Sequence, residues 1–183
     1  PPPRPHHRLA RRQRQMCIRD RDRKEPIEIG ITEWNIKVNE DRDTVDLING
    51  LWSAIWVGAM FEEGIDFANQ WDLSTFVEAG GHGAFYVDEA EGITIPKSQY
   101  WALWMWANLM GNELVKTKMS GPKSLKCFVT RSISGLQIML VNTSENEEAT
   151  ISIKGAQAHR YAKLHTFSSA EYFWDPHARK PLW

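Results

Sequence analysis

Between Pro26 and Phe61 the apolar residues recur first at every second position and then at helical spacing. Ile27, Ile29 and Ile31 alternate with Glu28, Gly30 and Thr32, a strand pattern that ends at Glu33 and Trp34. Asp43 offers an N-cap, with Asp46 in the first turn. The helix it would start carries Val45, Ile48, Leu51, Trp52, Ile55, Trp56 and Phe61 close to one face and stops at Gly64. Ile65-Asp66-Phe67-Ala68-Asn69-Gln70-Trp71 reads as the next strand. A strand, a helical crossover and a second strand form a parallel βαβ unit, because parallel strands cannot be joined by a tight turn.

Gly80-Gly81-His82-Gly83 marks a long loop after that strand. A second helix is predicted from Pro96, a favoured first helical position, through Tyr100, Trp101, Trp104 and Leu109 to a stop at Gly111. Beyond Ser120-Gly121-Pro122 the period changes. Leu125 to Thr130, Leu136 to Val141 and Ala149 to Ile153 read as short antiparallel strands, with Tyr161 to Phe167 as a further candidate. Two βα units close neither a barrel nor a covered parallel sheet, since a (β/α)₈ barrel needs eight. The apolar faces of the two helices are expected to find no partner within this chain, so the sequence reads as a fragment of a larger fold.

Composition narrows the function. A formal net charge of -1 gives no reason to expect nucleic acid or an anionic membrane as partner. The apolar run around Leu51 to Phe61 is too short to span a bilayer. Cys17 and Cys127 make neither a disulfide framework nor a metal site, and the His residues lack ligand spacing. Aromatic usage is unusual, with nine Trp of which seven lie from Trp34 to Trp106. Indole rings serve cores, and they also form flat apolar platforms with one polar handle, which suit the C–H faces of sugars. Trp101, Trp104 and Trp106 fall on the second helix and are assigned to the core.

The stretch from Pro1 to about Lys24 packs Arg and Pro together with no hydrophobic pattern. Arg14-Gln15-Met16-Cys17-Ile18-Arg19-Asp20-Arg21 resembles a peptide translated from sequencing adapter, and residues 1–24 are set aside from fold reasoning on that ground. A basic arm for nucleic acid would be the alternative reading.

Glu33 stands where a parallel strand ends, followed at once by Trp34 and Asn35. In barrels of parallel strands, active sites lie at that end. Ile29-Gly30-Ile31-Thr32-Glu33-Trp34-Asn35 resembles the seventh-strand motif of the (β/α)₈ retaining glycoside hydrolases of clan A, which include arabinofuranosidases, β-xylosidases, agarases and some endoglucanases. The order of the following elements resembles that clan as well. The resemblance implies an α/β plus all-β fold: the last two βα units of a TIM (β/α)₈ barrel in residues 25–119, then a C-terminal antiparallel β-sandwich in 120–183.

It further implies that Glu33 is the catalytic nucleophile and that Trp71, ending the eighth strand, is the platform under the sugar. Trp34, Asn35, Asn69 and His82 are further candidate substrate contacts, and Asp72 could likewise bond a sugar hydroxyl. Retention needs a second carboxyl about 5–5.5 Å from the nucleophile. In the clan that acid/base follows an Asn at the end of the fourth strand. Asn39-Glu40 has those letters, but it lies just past Glu33 and reads as a solvated loop. The acid/base is therefore expected upstream of this sequence. The expected activity is retaining hydrolysis of a plant or algal poly- or oligosaccharide, with no cofactor or metal and with a carbohydrate as partner. A non-catalytic carbohydrate-binding protein on the same scaffold is the alternative. The resemblance implies a secreted or periplasmic setting.

Overall fold

A computed structural model describes residues 28–36, 44–74, 81–155, 162–178 and 180–182. The adapter-like segment, Asp43 and Glu40 lie outside them. Strand β1 (Gly30–Trp34) and strand β2 (Phe67–Gln70) pair in parallel, joined through helix α1 (Leu47–Glu63). The predicted βαβ unit is present. Its entrance is latched twice: the Asp66 amide donates to the Ile29 carbonyl at 2.8 Å, and the Ile29 amide donates to the Asp66 carboxylate at 2.7 Å.

Helix α1 is capped by Asp46, whose carboxylate accepts the Leu47 amide at 3.0 Å. Asp46 was expected one turn inside, so the helix starts later than its first acidic signal. Gly64 ends it as predicted, in the left-handed conformation with φ 68° and ψ 45°. The buried positions of α1 are Asn49, Gly50, Ser53, Ala54, Gly58 and Met60, while Ile48 and Phe61 of the expected apolar face are exposed. Small residues let neighbours approach closely. A Cβ on Gly58 would stand 2.4 Å from the Phe128 ring, and one on Gly50 would stand 2.8 Å from the Ser98 carbonyl oxygen.

Where a loop was expected, β3 (Phe85–Asp88) and β4 (Ile93–Pro96) form an antiparallel hairpin. Its turn is an Asx type: the Asp88 carboxylate accepts the amides of Ala90 and Glu91, each at 3.1 Å. Helix α2 (Ser98–Leu109) follows, so Pro96 ends a strand instead of opening the helix, and Met110, not Gly111, is the C-cap. The two helices do have partners here, contrary to expectation. Ala54 of α1 and Ala102 of α2 share a core with Val141, flanked by Leu51, Ile55 and Met139. The Trp106 indole donates to the Ala54 carbonyl at 3.0 Å, and its ring lies between Phe61 and Phe128.

The sheet under the helices is antiparallel: β5 (Glu113–Leu114), β6 (Leu125–Ser132) and β7 (Gly135–Asn142), in that order. Glu113 pairs with Arg131 and Leu114 with Thr130, so hydrogen bonding runs across the expected boundary at residue 120. Ala149–Ile153 and the described part of the next candidate, 162–167, are not strands. A short hairpin of β8 (Phe173–Asp175) and β9 (Lys180–Leu182) ends the described chain. It folds back on the βα part. The buried Tyr172 donates its hydroxyl to the Val45 carbonyl, and Trp174 meets Tyr86 edge-on with centroids 6.1 Å apart.

Candidate functional site

The carboxyl ends of β1 and β2 bring the candidate residues together. Register runs Gly30 to Phe67 and Ile31 to Ala68, then shifts so that Trp34 faces Gln70. Three steps along β1 thus match two along β2, and the extra residue falls at Thr32 or Glu33. The extra residue on β1 breaks the register as a β-bulge does, and such breaks re-aim side chains. Glu33 is exposed at this break, and Trp34 after it is buried.

The two strand ends are tied together. The Trp71 amide donates to the Trp34 carbonyl at 2.9 Å. The Asn35 side-chain amide donates to the Trp71 carbonyl and, at 2.9 Å, to the His82 carbonyl. Its oxygen accepts the Ile36 amide at 2.7 Å. Asn35 therefore spends its polar atoms on backbone and acts as a tether between strand ends and loop.

The Trp rings divide their work. Trp34 is 7% exposed and leans on Trp52, with centroids 6.0 Å apart at 43°. Trp56 stacks on the half-buried Trp52 at 5.5 Å and 11°, so these indoles are occupied by one another. Trp71 is 51% exposed and offers a free face at the strand end. The Trp71–Asp72 peptide is cis. Asn69, within β2, is also exposed. His82 is half-buried, and its carbonyl is engaged by Asn35 and by Gln99.

Two residues of this region are not among the candidates read from the sequence. Lys97 and Gln99, at the start of α2, have no exposed surface. The Lys97 ammonium donates to the Gly81 carbonyl at 3.0 Å, and the Asp72 carboxylate acts on it as the opposing charge. Burial pulls the Lys97 pKa down to about 8, against the upward pull of Asp72. The Gln99 side-chain amide donates to the carbonyls of His82 at 3.1 Å and Gly83 at 2.7 Å. Asp72 and Leu73 complete the frame by accepting the amides of Ala84 and Phe85. The detectable signal was the run Lys97-Ser98-Gln99, three polar residues set between a strand and an aromatic helix. Among the described residues no group of three or more His, Cys, Asp or Glu could hold a metal ion, and no helix is long and apolar enough to cross a membrane.

Comparison with known proteins gives one relationship. Over 73 residues, 39% of this chain, the sequence is 26% identical to Heparanase-like protein 1 of Arabidopsis thaliana. The match covers 13% of that protein's length. No family model matches the chain, and no solved structure matches it. The similarity points toward glycosidases at the coarsest level.

Proposed function

We propose that this chain carries the nucleophile side of a retaining glycoside hydrolase site, with Glu33 as the nucleophile and Trp71 as the sugar platform. The observation that supports it most is this juxtaposition: an exposed carboxylate and an exposed indole at the carboxyl ends of neighbouring parallel strands, where the residue after Glu33 accepts the Trp71 amide. The similarity to a heparanase-like protein is in keeping with this reading. The scaffold is proposed to be the closing part of a (β/α)₈ barrel with a β-sandwich packed on it.

In the first step a Glu33 carboxylate oxygen attacks the anomeric carbon as the glycosidic C–O bond breaks. The departing oxygen takes its proton from a general acid. In the second step water attacks the same carbon, the Glu33 ester breaks, and the acid, now a base, takes the water proton. The acid/base is proposed to lie in a longer protein of which this chain is a part. The sugar platform falls to Trp71, and Asn69 is placed to meet a hydroxyl. Trp34 and Asn35 serve by shaping the strand ends. The substrate is proposed to be a plant or algal poly- or oligosaccharide.

The test uses Glu33→Gln in the full-length enzyme. It keeps the shape of the side chain and removes its charge, so kcat falls by several powers of ten while sugar binding survives. Retained turnover would refute the assignment. An enzyme preparation with binding but no turnover even in the wild type would favour a non-catalytic carbohydrate-binding protein, a reading that rests on the exposed Trp71 ring alone.

A further inference from the structure

The loop Gly81–Gly83 is held by three polar side chains, one from just past β1 and two from the start of α2. Asn35 comes from the end of β1, Lys97 from the residue before α2, and Gln99 from within α2. Between them they donate to the backbone carbonyls of Gly81, His82, Gly83 and Trp71. Lys97 is the one charged member, and it is fully buried. A buried ammonium is costly unless it is paired and hydrogen-bonded. A simple helix-capping or packing role would be met by an apolar or neutral side chain, so the charge calls for a reason tied to its partners. One partner is the Gly81 carbonyl, next to His82, whose own carbonyl Asn35 ties to that of Trp71. The Lys97 backbone joins the same frame, its amide donating to the Ala84 carbonyl at 2.8 Å.

We propose that Lys97 is a positioning residue for the carbohydrate site: it holds the His82 loop through the Gly81 carbonyl, and that loop is joined to Trp71 by the Asn35 side chain, which bridges the His82 and Trp71 carbonyls. This rests on the reading of Glu33 and Trp71 as parts of one sugar-binding site. Lys97 does not touch substrate. It holds the Trp71 indole at one height and orientation relative to Glu33, so that a stacked sugar ring presents its anomeric carbon to the carboxylate. Preorganisation of this kind matters because small displacements at the reacting atoms cost rate steeply.

The deciding experiment needs neither ligand nor turnover, so it fails or succeeds independently of the Glu33 assignment. The chain is labelled with 5-fluorotryptophan, which gives nine ¹⁹F lines for its nine Trp. The Trp71 line is assigned with Trp71→Phe and the Trp106 line with Trp106→Phe. Lys97→Met keeps most of the side-chain bulk and removes the charge. The expected result is a Trp71 line that splits or moves by more than its width, with the Trp106 line in place. Combining Lys97→Met with Asp72→Asn removes the buried ammonium and the carboxylate that opposes it. It should recover thermal stability without restoring the Trp71 line, because the bond to Gly81 is still missing. A Trp71 line unchanged in Lys97→Met would overturn the proposal. So would its full restoration in the double variant, which would make Lys97 a mere counter-charge for Asp72. If Lys97→Met alone unfolds and all nine lines collapse, the Trp71 line of the double variant decides by the same criterion.

Discussion

Trp34 and Trp71 are joined backbone to backbone, the Trp71 amide donating to the Trp34 carbonyl at 2.9 Å, yet their rings go opposite ways. The Trp34 ring is buried against Trp52, and the Trp71 ring is half exposed at the strand end. One indole anchors the strand to the helix behind it. The other is left for whatever approaches the carboxyl end.

Asn35 makes the first prediction. Its side chain satisfies the carbonyls of Trp71 and His82, so Asn35→Ala leaves both without that donor. Loss of such a partly buried bond costs about 1–3 kcal/mol. Urea unfolding should show a lower midpoint at constant slope. A residue that only contacted substrate would leave the midpoint where it was.

The outline of this fold was legible because hydrophobic period reports local geometry directly. The strands ending at Trp34 and at Gln70, one residue before the expected Trp71, the helix stop at Gly64 and the turn from Ser132 to Gly135 all follow from it. Packing was less legible. Helix α1 buries Asn49, Gly50 and Ser53 against its neighbours, so its buried face carries little hydrophobicity to read. Asn49 and Ser53 can be buried because they bond each other and the Thr44 carbonyl. The β3–β4 hairpin was missed although Asp88 and Gly92 frame its turn, because the Gly80–Gly83 run dominated the reading. At the candidate site, Glu33 and Trp71 stood out by residue type and position. The Lys97 and Gln99 clamps did not, since polar residues before a helix read as solvated unless tertiary structure covers them.

The second prediction concerns close packing. Gly58→Ala would drive a methyl into the Phe128 ring, which itself supports Trp106. Overpacking of this kind costs about 1–3 kcal/mol. Thermal melting should show a lower Tm, and Phe128→Leu in the same chain should recover part of it by making room.

The third concerns pH. The Lys97 pKa is about 8 in the fold against an ordinary 10.5, so the unfolded chain binds more protons between those values. Stability from this group therefore rises with pH from 8 to 10.5 and is lost as pH falls through 8. The full effect is on the order of 3 kcal/mol. Two groups oppose it at the upper end. Burial pushes the Cys127 thiol up and the Tyr172 phenol up, so their contributions fall as pH rises past their ordinary values of 9.0 and 10.0. Unfolding free energy should thus climb from pH 7.5 to 9 and then level. Lys97→Met should abolish the climb, and a climb of the same size in that variant would contradict the assignment.

The most direct test of the central claim is chemical rescue of Glu33→Ala in the full-length enzyme by sodium azide. Removing the carboxylate opens a space on the face from which it would attack the anomeric carbon. A small anion entering there should restore part of the lost turnover and leave a glycosyl azide of inverted configuration, read by ¹H NMR of the anomeric proton. Inverted glycosyl azide is the result this account predicts. An azide-independent Glu33→Ala enzyme that still turns substrate over with retention would contradict it.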